Sequence, residues 1–233
     1  MVRHGQASYM AENYDKLSPM GERQARKLGE FWVRQRVSFD RVFYGPAQRH
    51  IRTGEIVRDL FREADIDWPE PVIVRDLDEF DAAKLMATLM PVLAEKNEVV
   101  RGLNEAYQAG RENPDVGLLL ERLFEHVARI WASGHDHPEL ESWADFRARV
   151  ARGIGQIRSA SPKSSNVVVF TSGGPIAATT GWAQDSRPEK AMELVWVSRN
   201  SSYSEFLFSG DRFSLSSFNS IPHLDDRSLI TYR

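Results

Sequence analysis

Residues 166–181 read NVVVFTSGGPIAATTG, and they restrict the fold more than any other stretch of the chain. From Val167 to Phe170 the residues are apolar and mostly β-branched, without alternation. A strand with one wet face alternates; one that does not is covered on both faces, in the middle of a largely parallel sheet. The run breaks at Thr171 and Ser172 into Gly173, Gly174 and Pro175, and a helix-compatible segment follows. Strand, glycine turn and helix in this order leave backbone N–H groups at the positive end of the helix, a site for an anion.

The flanking segments extend the same pattern. Ser18 and Pro19 open a helix with a side-chain cap and a proline in its first turn, and Ala25, Leu28, Phe31 and Trp32 carry it to about Arg36. RVFYG (41–45) and PVIVR (71–75) read as strands around a helix from about Ala47 to Ala64. From Ala82 to about Ala160 the periodicity is helical, with one stripe opened by the capping box of Ser142 and Asp145. SYSEFLFSG and DRFSLSSFN alternate around Gly210 and Asp211, as a hairpin does. The sum predicts a three-layer α/β/α fold with a mostly parallel central sheet and a C-terminal β-hairpin. The helical insertion of about 82–160 is expected as a cap over the carboxyl ends of the strands, within a single domain spanning 1–233.

Composition narrows the function classes. The 233 residues carry a formal net charge of −3, which argues against a nucleic-acid binder but allows a local cationic pocket. There is no cysteine, so disulfides, thiolate metal sites and a cysteine nucleophile are excluded. No apolar run reaches the ~18 residues of a membrane span, and MVRHGQAS lacks an apolar signal-peptide core. A cytoplasmic protein with no membrane partner is expected, and nothing indicates an oligomer.

Three segments end predicted strands and bring polar groups to one edge. In VRHGQAS, a cation and an imidazole, Arg3 and His4, lead into Gly5, where backbone approaches a ligand closely. In YGPAQRHIRTGE, Arg49 stands just inside a helix, and its planar fork suits a phosphate. Arg52, one turn on, is expected on a solvated face. The third segment is VFTSGGP. Ser172 as the nucleophile of an α/β-hydrolase is disfavoured, because Phe170 stands where that elbow needs glycine.

Together these segments resemble the histidine phosphatase superfamily, the phosphoglycerate-mutase-like fold, over nearly the whole chain. RHGQAS resembles the family's RHG motif, LSPMGERQARKLG its LTxxGxxQA segment, and GPAQRHIRTGE its SPxxRxxQTA segment. DLDEFD resembles the segment holding its acid, ESWADFRARV its GES…R stretch, and SFNSIPHL the end of several bacterial members.

The resemblance implies a phosphomonoester hydrolase that acts through a phosphohistidine on a small phosphorylated metabolite, without metal or other cofactor. His4 would be the nucleophile, Arg3 and Arg49 the clamp on the phosphoryl oxygens, and Glu79 the acid, with Asp81 and then Asp78 as runners-up. Gly5, Ser172 and Gly173 complete the expected phosphate contacts. The HDH at 135–137 is expected in a cap loop. Arg101, Arg111 and Arg147 are candidate specificity contacts from the cap.

The chain departs from the family pattern at two points. The family's SHGG motif is TSGG here, so Ser172 stands where a second histidine is expected. A hydroxyl is a shorter and uncharged donor. Weakened turnover is expected, and the alternative reading is a catalytically impaired phosphate-ester binding or regulatory module. His223 is the candidate to fill the gap. The second departure is that only Met1 and Val2 precede Arg3, where members have a full strand; the expectation is a natural start further upstream.

Overall fold

A computed structural model describes residues 1–8, 15–112 and 116–232. Its sheet holds six strands in the order β3-β2-β4-β1-β5-β6. β1 (Val2–Arg3), β2 (Arg41–Tyr44), β3 (Val72–Ile73) and β4 (Val167–Thr171) are mutually parallel. β5 (Tyr203–Ser209) and β6 (Arg212–Ser220) add the hairpin, with β5 antiparallel to β1 and β6 antiparallel to β5. The sheet is therefore mixed, with its parallel part first.

Period-two geometry sorts the apolar strands between two layers. Val42, Tyr44, Val168 and Phe170 pack with Leu28, Trp32, Val57 and Phe61 of α1 (Pro19–Arg34) and α2 (Gln48–Glu63). Phe43 and Val169 join the opposite core, with Val150, Ile154 and Ile157 of α6 (Trp143–Ala160) and Ala178 of α7 (Gly173–Ala183). Both faces of the central strands are thus covered, as the lack of alternation in 167–170 requires. Ser18 caps α1, accepting the Gly21 N–H at 3.1 Å. Ser142 likewise caps α6, accepting the Asp145 N–H at 3.0 Å.

The helical insertion contains α3 (Ala82–Lys96), α4 (Glu98–Ala109) and α5 (Val116–Ala132) before α6. Leu85, Leu89, Val100, Leu123 and Val127 form its interior. α8 (Pro188–Val197) follows α7 and packs on it. The insertion meets the sheet domain through an aromatic group: the Phe80 ring lies 5.1 Å from Trp131 and 5.6 Å from Phe146, and Trp131 lies 5.3 Å from Trp143. α6 starts in this group and ends beside the sheet, where Ile154 and Ile157 line one groove with Val167 and Val169.

β3 is shorter than the 71–75 expected. Val74 still donates its N–H to Tyr44 O at 2.8 Å, but the chain then turns into a 3₁₀ segment at Arg75–Leu77. β1 is brief, yet it is flanked on both sides, with Val2 opposite Phe170 and Tyr203. Gln24 of α1 anchors the residues just after β1: its Oε1 accepts the Gln6 N–H at 2.8 Å, and its Nε2 donates to Leu229 O and Thr231 Oγ1. Among the described residues, no helix is long and apolar enough to cross a membrane.

Candidate active site

Four parallel strands end at one edge of the sheet, so their outgoing loops meet there. Arg3 pairs with Thr171, and Tyr44 with Phe170 and Ile73, which brings His4, Gly45, the 74–81 segment and Ser172 together.

His4 is buried, and its backbone N–H donates to Thr171 O at 2.9 Å. Its Nδ1 lies 2.6 Å from Gly5 O. A carbonyl only accepts, so Nδ1 carries the proton, and the lone pair of the neutral ring is on Nε2. Burial first, then the charges of Arg49 and Arg3 and the neighbouring His50, hold the His4 pKa well below the usual histidine value. The ring is therefore neutral at pH 7.

Gly5 is tied into the site through both of its backbone polar groups. Its N–H donates to Thr53 Oγ1 at 3.1 Å, and Thr53 Oγ1 donates to Arg49 O at 2.7 Å. With its carbonyl on His4, both polar groups of Gly5 hold the pocket wall. Arg49 donates from Nη1 to Asp15 Oδ1 at 2.7 Å and from Nη2 to Ser172 Oγ at 3.4 Å. Asp15 also accepts the Gln48 N–H at 2.9 Å, supplying the cap that Ala47 lacks at the start of α2. Arg3 enters from the other side, with Nη1 donating to Ser198 O. Gly173 stands beside the Arg3 guanidinium, with its N–H among the first-turn donors of α7.

Glu79 faces α7. Its Oε2 accepts the Gly174 N–H at 3.0 Å and its Oε1 the Phe80 N–H at 3.1 Å. Burial raises its pKa above the usual carboxylate value, against the opposing pull of those N–H groups and of Arg49 and Arg3. Gly174 is glycine for this reason: a Cβ there would stand 2.0 Å from Glu79 Oε1. The runners-up are engaged in local structure. Asp81 caps α3 through the Lys84 N–H, and Asp78 Oδ1 accepts the Glu79 N–H at 2.9 Å. Arg149 pins this segment, donating to the carbonyls of Asp76 and Asp78 at 3.0 and 3.1 Å while Glu141 holds its fork at 2.8 and 2.9 Å.

Ser172 is fully buried at the N-cap of α7, with no capping bond from its side chain. Its Oγ instead lies 2.5 Å from His50 Nε2. Sequence reasoning misses His50, although it directly follows Arg49; the signal is the glycine at 45 of a segment that has serine in the family pattern. His223, the expected occupant of the gap, is elsewhere. Its Nε2 pairs with Ser201 Oγ at 2.9 Å, and its ring stacks near Tyr203. Ser201 donates its N–H to His4 O, so His223 supports the backbone behind His4.

The cap arginines also lie apart from this group. Arg101 donates to Ala94 O and Glu95 O at the end of α3, Arg111 lies over the Tyr107 ring, and Arg147 lines a hollow with Trp182. Arg52 is half exposed and pairs with Glu22 and Glu55, on the solvated face expected. His135 and His137 bond locally in the loop after α5, to Ser133 Oγ and the Glu139 N–H.

A family model described as histidine phosphatase superfamily, branch 1, matches residues 1–108 and 87–221. No curated protein sequence matches the chain. Among solved structures, the chain is similar to a phosphoglycerate mutase from Bacillus anthracis (16% identity, 96% of this chain and 92% of that one, TM-score 0.62). It is also similar to a phosphoserine phosphatase from Entamoeba histolytica (16%, 96% and 96%, 0.61). A mycobacterial glucosyl-3-phosphoglycerate phosphatase is similar as well (17%, 94% and 97%, 0.59). At these identities the likeness is one of fold.

Proposed function

The chain belongs to the histidine phosphatase superfamily, and on that premise we propose that it hydrolyses a small phosphomonoester through a phosphohistidine on His4. The observation that carries the reading is the hydrogen bond from His4 Nδ1 to Gly5 O, which leaves the Nε2 lone pair for attack, beside two arginines and a Glu79 whose pKa burial raises.

In the first step His4 Nε2 forms a bond to phosphorus as the ester P–O bond breaks. Glu79 gives its proton to the leaving alkoxide. The phosphorylated ring keeps its Nδ1 proton on Gly5 O, so the positive charge it gains meets a fixed acceptor. Arg3 and Arg49 balance the charge spread over the phosphoryl oxygens, where preorganised cations are most effective. In the second step the Glu79 carboxylate takes a proton from water, the hydroxide oxygen bonds to phosphorus, and the P–N bond breaks. Phosphate leaves, with His4 neutral and Glu79 protonated as at the start. A carboxyl that serves as acid and then base works best with a pKa raised towards neutrality, the direction burial imposes on Glu79.

The test is a single-turnover reaction with p-nitrophenyl phosphate, quenched in base and read by peptide mass spectrometry. Acid-labile phosphate on His4, absent in His4→Ala, is the expected result. Phosphate binding without any labelling would instead support the catalytically impaired module.

A further inference from the structure

We propose that His50, acting through Ser172, takes over the part of the second pocket imidazole: a buried His50–Ser172 pair presents a hydroxyl proton to the phosphoryl group. The inference rests on reading the pocket as a phosphoryl site, and it assigns His50 as a positioning residue.

The argument begins with valence. A serine oxygen has one proton to give and two lone pairs to fill. Arg49 Nη2 can only donate, so it takes one lone pair of Ser172 Oγ. His50 Nε2, at 2.5 Å, fills the second when it carries the ring proton. The hydroxyl proton is then left to point away from both. Phosphoryl oxygens only accept, so an anion in the pocket selects this arrangement over the one in which the hydroxyl points at His50. No proton leaves the pair; only the ring tautomer and the hydroxyl rotor are chosen. Burial and the adjacent Arg49 hold the ring neutral against the Gly45 backbone, which favours a proton on the ring edge facing it, so the two edges compete for one proton and the pocket's occupant decides between them.

Sterics show that the site is built for this ring. His50 is fully buried, 5.7 Å from the His4 ring centroid to centroid. Its Nδ1 edge lies against the backbone of Gly45, where a Cβ would stand 2.4 Å from Nδ1 and 3.0 Å from Cε1. The chain thus differs from the family segments at two positions that touch His50: glycine in place of serine at 45 and serine in place of histidine at 172. One ring has gone from the strand turn, and another comes in from the helix beside it through space that Gly45 leaves open. Ser172→His alone therefore puts a second ring onto His50 and does not restore the family arrangement.

The test combines turnover of p-nitrophenyl phosphate with binding of inorganic phosphate, on the full chain. His50→Met removes the donor and is expected to lower kcat by about 10- to 100-fold, in the range of losing an oriented outer donor, and to weaken phosphate binding several-fold. His50→Gln keeps an N–H at the Nε2 position and is expected to retain kcat within about threefold. The double variant His50→Ala with Ser172→His moves the ring to the turn and is expected to exceed both single variants in kcat. In the wild-type protein, the ¹⁵N signal of His50 Nε2 is expected to move to the protonated position on saturation with phosphate. That readout holds even where His50→Met fails to fold. Wild-type kcat in folded His50→Met, or a His50 signal unmoved by saturating phosphate, overturns the proposal. A wild-type protein with no turnover refutes the hydrolase reading alone, since the phosphate titration still decides on His50.

Discussion

His223 makes the stability of this protein depend on acid in a way that can be calculated. Its ring is buried, one nitrogen is on Ser201 Oγ, and desolvation lowers its pKa from 6.5 to about 4, with Asp225 opposing weakly. In the unfolded chain the value returns to about 6.5. Between the two values the unfolded chain binds a proton that the folded chain refuses, so stability rises with pH across that window. Above pH 6.5 the contribution is complete; it is lost as pH falls. Linkage puts the loss from pH 7 to pH 5 at about 2 kcal/mol, a large part of a typical 5–15 kcal/mol. His223→Gln keeps a nitrogen near Ser201 and does not titrate. His4 and His50 act in the same direction and Glu79 in the opposite one, but they are common to both proteins and cancel in the comparison. Urea unfolding at pH 7, 6 and 5 is the assay. The wild-type free energy should fall by about 2 kcal/mol more than that of His223→Gln over this range. Parallel pH dependence in the two proteins would refute the reasoning.

Two further changes probe Glu79. Glu79→Gln removes the proton for the leaving group and should lower kcat/KM by about 10²- to 10⁴-fold for alkyl phosphates and far less for p-nitrophenyl phosphate; equal losses on both would count against Glu79 as the acid. Gly174→Ala places a Cβ 2.0 Å from Glu79 Oε1 and 3.0 Å from the Phe80 ring, so turnover should drop at least tenfold in a protein whose circular dichroism is unchanged; wild-type kinetics would show that the carboxyl position is not critical.

Much of the architecture was legible because its signals are local. An unalternating apolar strand, the Ser18 and Ser142 caps and the stripes of the insertion each need only a few neighbouring residues, and the structure places these elements close to where the sequence put them. Parallel strands then bring their ends to one edge, which is why motifs far apart in the chain converge. What could not be read was contact across that edge. His50 and Ser172 are 122 residues apart, and Asp15 and Arg49 are 34 apart; no periodicity encodes either pair. The neighbours of Gly5 were hidden for a related reason. Glycine permits close approach, and the sequence does not say that the Gly21 backbone makes it.

The contact between Gly45 and His50 also couples the turn to the helix beside it. A Cβ at position 45 would stand 2.4 Å from His50 Nδ1 and 2.8 Å from Leu77 O, so a side chain there shifts the ring, the carbonyl or both. An imidazole at position 172 would crowd the same ring, whose Nε2 lies 2.5 Å from Ser172 Oγ. Positions 45, 50 and 172 therefore behave as one unit, and a graft of this pocket into another chain succeeds only if all three are moved together.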